Sequence, residues 1–510
     1  MMVSSDNSSV VALGQLLHDV ANLNPEAAKV CISQIVMDSR HVNMGSLFIA
    51  VPGVNGDGRD YIDDALSRGA AAILWECEQG TIPIPVAWRS NGAHKKIPVI
   101  GVADLNSKVG VIADRYYHEP SKSLFMIGIT GTNGKTSCSH FVAQSLSGIS
   151  SCAVMGTMGW GFIDQLQPSK HTTPDVIACH SQLHTLKLQG TQCVAMEVSS
   201  HALEQRRVDN IHFDCAVFTN LTHEHLDYHG SMDNYAKAKQ KLFQFEDLRY
   251  YVINQDDEFG RQLITHAGAG VECISYGLTS EQGQPTIFAD AIVQDASGLS
   301  FDLFINANKY HITTSIYGLF NISNLLATAG VLLAKGVEPN EIAERLSHLF
   351  GIDGRMEVIR TANSPAFIID YAHTPDALES VLKTIREHFS GQVYCVFGCG
   401  GDRDVQKRPA MASIAELHAD QVILTNDNPR TEPPVRIVAD LLSGMKDPDQ
   451  AIVELDRAEA IRKAYQQATV DDVILVAGKG HETYQVFGTQ SIDFSDKAVV
   501  RELIGEDEHA

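Results

Sequence analysis

Short apolar runs alternate with helix-length intervals through most of this 510-residue chain. Six runs are apolar enough to form buried strands: residues 193–196, 215–218, 367–370, 393–397, 421–424 and 473–476. Buried strands that alternate with helices are typical of mostly parallel sheets with helices on their faces. The pattern therefore predicts an α/β fold.

The pattern changes twice along the chain, which predicts three domains. Residues 1–106 contain short strand patterns and polar, glycine-containing turns, as expected of a small N-terminal α/β domain. Residues 107–354 form a central domain with a mostly parallel sheet, and residues 355–510 form a Rossmann-like C-terminal α/β domain. Three domains also suit the length, since one domain usually has about 100 to 200 residues.

A glycine-rich stretch in the central domain predicts a phosphate-binding loop. The apolar run 124–129 leads into residues 128–136, which read Gly-Ile-Thr-Gly-Thr-Asn-Gly-Lys-Thr. Backbone N–H groups of such a loop face phosphate oxygens, Lys135 adds a cation, and the Thr136 hydroxyl can hold Mg²⁺. The first glycine, Gly128, stands one residue earlier than the strict motif requires. An ordinary strand-to-helix turn is the alternative, but a Lys-Thr ending favours a nucleoside triphosphate.

Composition excludes several other classes of protein. The net charge is −23, with 62 acidic and 39 basic residues and no basic block, which argues against nucleic-acid binding. The ten cysteines form no C-x-x-C pair and the first residues do not resemble a signal peptide, which predicts a reduced, cytoplasmic protein. No apolar run approaches the roughly 18 to 20 residues that cross a bilayer, so membrane insertion is not expected.

Acidic and histidine residues that follow the apolar run 193–196 suggest a metal site. Glu197 ends that run, and its carboxylate could join Thr136 in holding Mg²⁺; a helix cap is the alternative. His223, His225 and His229 follow, interleaved with acidic residues. Their spacing is not H-E-x-x-H and no cysteine accompanies them, which favours one histidine at a magnesium or substrate site over zinc.

Lys239 is predicted to point inward. At about 100° per residue it shares a helix face with Tyr235, Leu242 and Phe243. Lys237 and Lys241 share another face. A lysine among large apolar groups needs a partner or a modified head group. A lysine that snorkels to solvent is the alternative.

Polar residues at the ends of C-terminal strands are predicted to form one ligand crevice. Segments 398–403, 427–430 and 478–482 each follow a buried strand, and the carboxyl ends of parallel strands meet at one edge of a sheet. For Asp427-Asn428-Pro429-Arg430, a proline turn with an exposed arginine is the alternative.

Together these segments resemble the Mur ligase family over essentially the whole chain. The motifs that carry the resemblance are residues 128–136, 171–174, 196–201, 225–229, 320–324, 354–357, 370–375, 400–404, 427–430 and 478–482. Any one of them is weak evidence, but their number and order are specific.

The resemblance implies an enzyme that uses ATP and Mg²⁺. The implied ATP contacts are Gly131, Thr132, Asn133, Gly134, Lys135, Thr136, Ser137, Asn321, Arg355 and Asp370. It also implies that Thr136 and Glu197 hold one Mg²⁺, and that His225 and a carbamylated Lys239 hold a second. The implied catalytic residues are Lys135, Glu197, His225 and Lys239.

The resemblance further implies that an amide ligase adds meso-diaminopimelate to UDP-N-acetylmuramoyl-L-Ala-D-Glu through an acyl phosphate, in peptidoglycan precursor synthesis. The implied UDP-muramoyl contacts are Ser39, Arg40, Thr172, Thr173, Ser199, Gln205 and Arg207, with Arg206 as the neighbouring register for the last. The implied amine contacts are Arg403, Asp427, Asn428, Pro429, Arg430, Gly478 and Glu482. Arg430 would pair with the distal carboxylate that L-lysine lacks.

Three alternative functions remain open from the sequence. They are an L-lysine-adding ligase of the same family, a folylpolyglutamate synthetase, and a regulatory P-loop ATPase that binds a protein partner. The expected partners are small-molecule substrates, and the chain is expected to be a monomer.

Overall fold

The computed structural model describes residues 10–53, 56–78, 86–90, 96–268, 270–278 and 283–505. Its contacts divide the chain into two compact units, 1–252 with 259–273 and 253–258 with 274–510. The domain boundaries after residues 106 and 354 stay a prediction. Within the described residues, no helix is both long and apolar enough to cross a membrane.

The first unit begins with a five-stranded sheet. The elements of this part of the unit are β1 (Val11–Ala12), α1 (Leu13–Leu16), α2 (Pro25–Ala28), β2 (Cys31–Ile32), β3 (Gln34–Val36), β4 (Ser46–Ala50), α3 (Ile62–Ser67), β5 (Ala72–Cys77), β6 (Ala87–Ser90), β7 (Lys96–Ala103) and α4 (Val109–Tyr116). Strands β1 and β2 pair with each other, and the other five strands form the sheet. The strand order is β3-β4-β5-β7-β6, parallel except for β6. Every residue of β4 is buried because apolar clusters cover both faces of the sheet.

A second, mostly parallel sheet carries the glycine-rich loop. Its elements are β8 (Phe125–Thr130), α5 (Lys135–Leu146), β9 (Cys152–Gly156), β10 (Gly159–Gly161), α6 (Val176–Leu188), β11 (Cys193–Glu197), α7 (Ser200–Glu204), β12 (Cys215–Phe218), α8 (Leu226–His229), α9 (Met232–Gln240), β13 (Tyr250–Asn254) and α10 (Glu258–Thr265). The order in this unit is β10-β9-β11-β8-β12-β13, and β9, β11, β8 and β12 are parallel. The strands predicted at 193–196 and 215–218 are confirmed.

The second unit contains an antiparallel meander and a Rossmann-like sheet. The first elements are β14 (Glu272–Gly277), β15 (Ile287–Asp295), β16 (Gly298–Ile305), β17 (Asn308–Thr314), α11 (Leu319–Ala334) and α12 (Pro339–Ser347). The next are β18 (Glu357–Ile359), β19 (Ala366–Asp370), α13 (Pro375–His388), β20 (Val393–Phe397), α14 (Lys407–His418), β21 (Gln421–Leu424), α15 (Pro434–Leu442), β22 (Ile452–Val453), α16 (Arg457–Gln467), β23 (Val473–Ala477), β24 (Tyr484–Phe487), β25 (Gln490–Asp493) and α17 (Asp496–Ile504).

The Rossmann-like sheet determines where the charged loops of this unit meet. Its order is β18-β19-β23-β20-β21-β22, and all neighbours except β18 and β19 are parallel. The four predicted strands of this region are confirmed. Loops after β19, β20, β21 and β23 therefore leave the same edge of the sheet, where open α/β sheets bind ligands.

Candidate functional site

The glycine-rich segment forms a tight loop between β8 and α5, as predicted. Gly134 precedes the helix with φ of 87°, a left-handed conformation that suits glycine. A Cβ on Gly131 would lie 1.8 Å from the Thr219 hydroxyl, so only glycine fits there. The loop lies at the amino end of α5, where unpaired backbone N–H groups favour anions.

Two lysines point at the same carbonyl oxygen of this loop. Lys135 Nζ donates to Gly131 O at 2.8 Å, and Lys239 Nζ donates to the same oxygen at 2.7 Å. Lys239 is only 1% exposed, so the snorkelling alternative is wrong. Burial, and then the charge of Lys135, lower the pKa of Lys239 well below its usual range. The surroundings therefore favour a neutral amine at Lys239.

The inward direction of Lys239 follows from the apolar face of its helix, as predicted. Its Nζ lies 4.4 Å from the centre of the Tyr235 ring, which is buried with Leu242 and Phe243. The α-helix ends at Gln240, earlier than the predicted face assumes, but a 3₁₀ turn continues the buried side. Lys237, on the other face, is exposed.

Glu197 lies at the end of β11 beside the loop and accepts three hydrogen bonds. The Thr136 hydroxyl donates to its Oε2 at 3.0 Å, the Thr157 N–H donates to its Oε1 at 2.9 Å, and the Thr157 hydroxyl donates to Oε2 at 3.1 Å. Glu197 is 1% exposed. It does not cap the following helix, because Ser199 does so by accepting from the N–H of Ala202.

Gly156 and Thr157 were missed by the sequence reasoning. A Cβ on Gly156 would lie 2.0 Å from Oε1 of Glu197, so the carboxylate occupies the space that any side chain would need. The Thr157 hydroxyl is also 3.0 Å from that of Thr172. Since the Thr157 proton goes to Glu197, the Thr172 hydroxyl donates to Thr157. Their only sequence signal is a position at the end of an apolar strand.

The histidine cluster contains residues of different kinds. His229 is buried and its Nε2 lies 2.9 Å from the Ser200 hydroxyl, which accounts for it as part of the packing. His225 is about half-exposed, has φ of 56°, and directly precedes α8, with its Nε2 at 3.8 Å from Glu224. No three His, Cys, Asp or Glu side chains within the described residues gather as metal ligands.

The donor set beside the loop fits Mg²⁺ in part. The Thr136 hydroxyl and the buried Glu197 carboxylate are adjacent oxygen ligands of the kind that Mg²⁺ prefers near phosphates. Lys239 as an amine is no ligand for a hard cation. It fits a second site only when a carbamate supplies oxygen atoms.

A second cluster in the first unit surrounds Thr173. Its hydroxyl donates to the backbone carbonyl of Glu197 at 2.8 Å and accepts from the N–H of Ser199 at 3.1 Å. Arg207 Nη1 donates to Thr173 O at 2.9 Å, and its Nη2 donates to Gln205 Oε1 at 2.6 Å. The neighbouring Arg206 pairs with an aspartate instead, so Arg207 is the arginine of this cluster.

A cavity of about 840 Å³ extends from this cluster to the N-terminal sheet. Its lining includes Ser39, Arg40, Gln205 and Arg207. Arg40 is exposed and pairs with Asp38 at 2.6 Å, which holds the pKa of that carboxyl at about 2. The lining of the cavity therefore carries both arginine and carboxylate groups.

The predicted nucleotide contacts Asn321, Arg355 and Asp370 belong to the second unit. Asp370 ends β19 and accepts from the N–H groups of Met356 and Ala372, each at 2.7 Å. Burial raises the pKa of Asp370 and the nearby Arg355 charge opposes that rise. Asn321 is buried at the start of α11, where its Nδ2 donates to a backbone carbonyl at 2.8 Å.

Three loops of the second unit converge as predicted. The N–H of Gly401 donates to Asn428 O at 2.9 Å, and Arg430 Nη1 donates to Gly401 O at 2.9 Å. Asn428 Nδ2 donates to Glu482 Oε2 at 3.0 Å. Arg430 is half-buried with φ of 51°, so the alternative of an exposed arginine on a turn is wrong.

The other predicted amine contacts lie in the same loops. Asp427 is nearly buried, and its Oδ2 lies 2.8 Å from where a Cβ on Gly478 would be. Pro429 O would be 1.9 Å from a Cβ on Gly401, which requires glycine there. Arg403 is exposed in the loop after β20.

Arg408, which the sequence reasoning missed, links the loops after β20 and β21 through hydrogen bonds. Its guanidinium is fully buried and donates to both carboxylate oxygens of Glu432 at 2.8 and 2.7 Å, and to Gly400 O at 3.3 Å. Glu432 in turn accepts from the N–H of Asp402 at 3.2 Å. No motif marks this arginine in the sequence.

A glycine-rich phosphate loop on a parallel sheet places this protein among the P-loop nucleotide-binding α/β proteins. Three family models match it further: the Mur ligase family catalytic domain at residues 31–117, the Mur ligase middle domain at 129–332, and the Mur ligase glutamate ligase domain at 354–480. The chain belongs to the Mur ligase family. It is therefore an ATP-dependent ligase with N-terminal, middle and C-terminal α/β domains.

Curated relatives are similar over nearly the whole chain. UDP-N-acetylmuramoyl-L-alanyl-D-glutamate–2,6-diaminopimelate ligase of Coxiella burnetii is 46% identical over 92% of this chain and 95% of its own length. The ligase of the same name from Pseudomonas aeruginosa is 45% identical over 93% and 95%. A solved structure of a ligase with this name is 35% identical, with a TM-score of 0.71 over 98% of this chain and 100% of that one.

Proposed function

We propose that this protein ligates meso-diaminopimelate to the D-glutamate of UDP-N-acetylmuramoyl-L-Ala-D-Glu and hydrolyses ATP to ADP and phosphate in doing so. The observation that carries this proposal is the sequence identity of 45–46%, over more than nine-tenths of the chain, to ligases of that name. The product would be a UDP-N-acetylmuramoyl tripeptide, a cytoplasmic precursor of peptidoglycan.

The glycine-rich loop would bind the phosphates of ATP. The proposed contacts are Gly131, Thr132, Asn133 and Gly134, with Ser137 in the first turn of α5. The N–H groups of Thr132 and Asn133 now donate to Asn220 and would exchange these bonds for phosphate oxygens. Lys135 now donates to two backbone carbonyls of the loop. On ATP binding it would exchange these hydrogen bonds for bonds to phosphate oxygens. Asn321, Arg355 and Asp370 are the proposed nucleotide contacts of the second unit.

Thr136 and Glu197 would hold one Mg²⁺, and His225 with a carbamylated Lys239 would hold a second. When bound, the metal would neutralise charge on the phosphates and on the oxyanion that develops during acyl transfer. Hydrogen bonds from Thr136 and Thr157 orient the Glu197 carboxylate.

The surroundings of Lys239 support its carbamylation. A neutral amine is the nucleophile that carbon dioxide requires, and burial near Lys135 favours that form. The nitrogen lone pair would form an N–C bond with carbon dioxide while one N–H proton leaves to solvent. The amine thereby becomes an anion with two oxygen atoms, which would be stabilised by Lys135.

The 840 Å³ cavity would bind the UDP-muramoyl peptide. Ser39 and Arg40 would contact its UDP end. The proposed contacts for the muramoyl-dipeptide part are Thr172, Thr173, Ser199, Gln205 and Arg207. Arg207 donates hydrogen bonds to both Thr173 and Gln205, which supports the proposal that these residues contact the same part of the substrate.

The reaction would proceed in two steps. The D-glutamate carboxylate attacks the γ-phosphorus of ATP, forming an acyl phosphate and releasing ADP. The neutral amine of diaminopimelate then attacks the acyl carbon, the C–O bond to phosphate breaks, and the amine loses a proton. Both steps build negative charge, which Lys135 would stabilise from its position at the loop.

The converging loops of the second unit would select the amine. Arg430 would pair with the distal carboxylate, and the acidic side chains of Asp427 and Glu482 would face the distal ammonium group. Asn428, Pro429, Gly478 and Arg403 would complete the site. L-Lysine would leave the arginine unpaired, and such a loss of hydrogen bonds can cost selectivity of about 10⁴-fold.

Thr157→Val is expected to reduce the ligation rate by about 10- to 100-fold, as loss of a hydrogen bond that orients a metal ligand usually does. The variant keeps the backbone bond to Glu197 but loses the hydroxyl bonds to Glu197 and Thr172. The Mg²⁺ concentration for half-maximal rate should rise. Thr185→Val is the matched control, since that hydroxyl bonds only a carbonyl of its own helix. Equal rates for both variants would contradict the assignment.

Phosphate release by the purified protein tests the proposed function directly. ATP, Mg²⁺ and UDP-N-acetylmuramoyl-L-Ala-D-Glu are supplied with either meso-diaminopimelate or L-lysine, and the product mass is measured. Turnover with diaminopimelate alone is the expected result. Turnover with lysine would keep the ligase and contradict the role of Arg430. Turnover with folate and glutamate, or ATP hydrolysis without any amine, would support the folylpolyglutamate or regulatory alternatives instead.

A further inference from the structure

Lys479 is a fully buried cation at the centre of the converging loops of the second unit. Its Nζ donates to Glu482 Oε2 at 2.8 Å and lies 3.4 Å from Asn428 Oδ1. A buried lysine is costly unless it is paired, so its position here needs a reason beyond packing. Both partners are proposed amine contacts, but Lys479 itself has no role among them.

Lys479 and Asn428 hold one oxygen of Glu482 together. Glu482 Oε2 accepts from Lys479 at 2.8 Å and from Asn428 Nδ2 at 3.0 Å. Asn428 is itself fixed, because its Oδ1 accepts from the N–H of Val486 at 3.0 Å. The carboxylate of Glu482 is therefore oriented, with one oxygen engaged inside the protein.

Arg430 is tied to the same network through its backbone. Its N–H donates to Val486 O at 2.9 Å, and its Nη1 bonds backbone carbonyls of the loops rather than a carboxylate. The charges of Glu482 and Arg430 both reach Tyr484, where the first raises and the second lowers the pKa of the phenol, after burial has raised it. Both side chains also contact Asn428, whose Nδ2 donates to Glu482 Oε2 at 3.0 Å and whose carbonyl accepts from Arg430 Nη1 at 3.4 Å. A carboxylate and a guanidinium that contact the same residue would attract each other if neither were held.

We propose that Lys479 is a positioning residue that holds Glu482 away from Arg430 and so keeps Arg430 free for a carboxylate of the amine substrate. The inference rests on the proposed function and extends it, because it explains how opposite charges coexist in one site without neutralising each other. Selectivity for an amine with a distal carboxylate then depends on a lysine that contacts no substrate.

Lys479→Met removes the charge and retains the volume of the side chain. Glu482 should then turn to Arg430 and compete with the substrate. The KM for meso-diaminopimelate should rise about tenfold or more, with the KM values for ATP and the UDP-muramoyl substrate nearly unchanged. The ratio of kcat/KM for diaminopimelate over L-lysine should fall about tenfold. Lys383→Met is the matched control, since Lys383 forms an exposed pair with Glu379 at 2.6 Å in the same unit.

The double variant Lys479→Met with Glu482→Gln separates positioning from a purely structural role. The glutamine introduced by the second substitution carries no charge that could neutralise Arg430, so the preference for diaminopimelate over lysine should recover relative to the single Lys479→Met variant. A structural defect would persist or worsen in the double variant. If Lys479→Met loses cooperative thermal unfolding, Lys479→Gln takes its place with the same expected ratios.

Turnover by the wild-type protein distinguishes failure of the role of Lys479 from failure of the proposed function. Wild-type turnover with diaminopimelate, together with an unchanged amine ratio in Lys479→Met or no recovery in the double variant, would overturn the role of Lys479. Equal increases in all three KM values would do so as well. Absence of wild-type turnover with diaminopimelate would instead overturn the proposed function.

Discussion

Lys239→Ala is expected to lower the ligation rate by about 10³-fold or more, because it removes the group that we propose to supply oxygen ligands beside the phosphate loop. The Lys239 amine and Lys135 both donate to Gly131 O, so the charge of Lys135 would stabilise an anionic carbamate at Lys239. Phosphate release under saturating substrates measures the effect. Lys237→Ala is the matched control, since that lysine is exposed on the other face of the same helix and should retain the wild-type rate.

The chemical state of Lys239 has its own readout. Short carboxylic acids should restore part of the activity of Lys239→Ala by supplying an oxygen ligand. Wild-type protein equilibrated with ¹³C-bicarbonate should show one carbamate resonance that Lys239→Ala lacks, with Lys237→Ala unchanged. A fully active Lys239→Ala variant would contradict a catalytic role. An inactive variant combined with no carbamate resonance in the wild-type protein would contradict the carbamate alone.

Arg430→Ala is expected to raise the KM for meso-diaminopimelate by at least about 30-fold, which corresponds to about 2 kcal/mol. Truncation removes the proposed partner of the distal carboxylate. The KM for ATP should change little, since that substrate is proposed to bind other residues. Steady-state kinetics with each substrate varied in turn measures the split.

A matched control for this substitution is Arg462→Ala, which removes an arginine of α16 that pairs with Glu459 at 2.6 Å near the surface. It should leave all the KM values unchanged. The assignment of Arg430 would be wrong if the KM values for ATP and diaminopimelate rose together, because that result indicates a general loss of folding or closure. Activity with L-lysine should fall less than activity with diaminopimelate.

The strands and the loop convergence could be predicted because each depends on local patterns and one general rule. Continuous apolar runs such as 393–397 suffice for buried strands, and parallel strands bring their carboxyl ends to one edge. The inward direction of Lys239 followed from helical periodicity alone. The strands and the helix face depend only on residues that are close in sequence, whereas the convergence of distant loops follows from the rule on parallel strands.

The supporting residues could not be predicted because their partners are distant in the chain. Thr157 meets Glu197 through the register that pairs Met155 with Met196, which no composition or spacing reveals. Arg408 likewise reaches Glu432 across a helix and a strand. Sequence motifs therefore identified charged groups, whereas the residues that orient those groups emerged only from strand register and helix packing.

The space above Gly156 has a consequence for how this gene can vary. Glu197 fills the volume that a methyl group at position 156 would occupy, so the carboxylate would have to move aside for even the smallest side chain. Under the proposed role of Glu197, a lineage could lose the reaction while every reactive group remains in its sequence. An inventory of reactive residues would count such a copy as functional, so glycine at position 156 would then be a further marker of an intact enzyme.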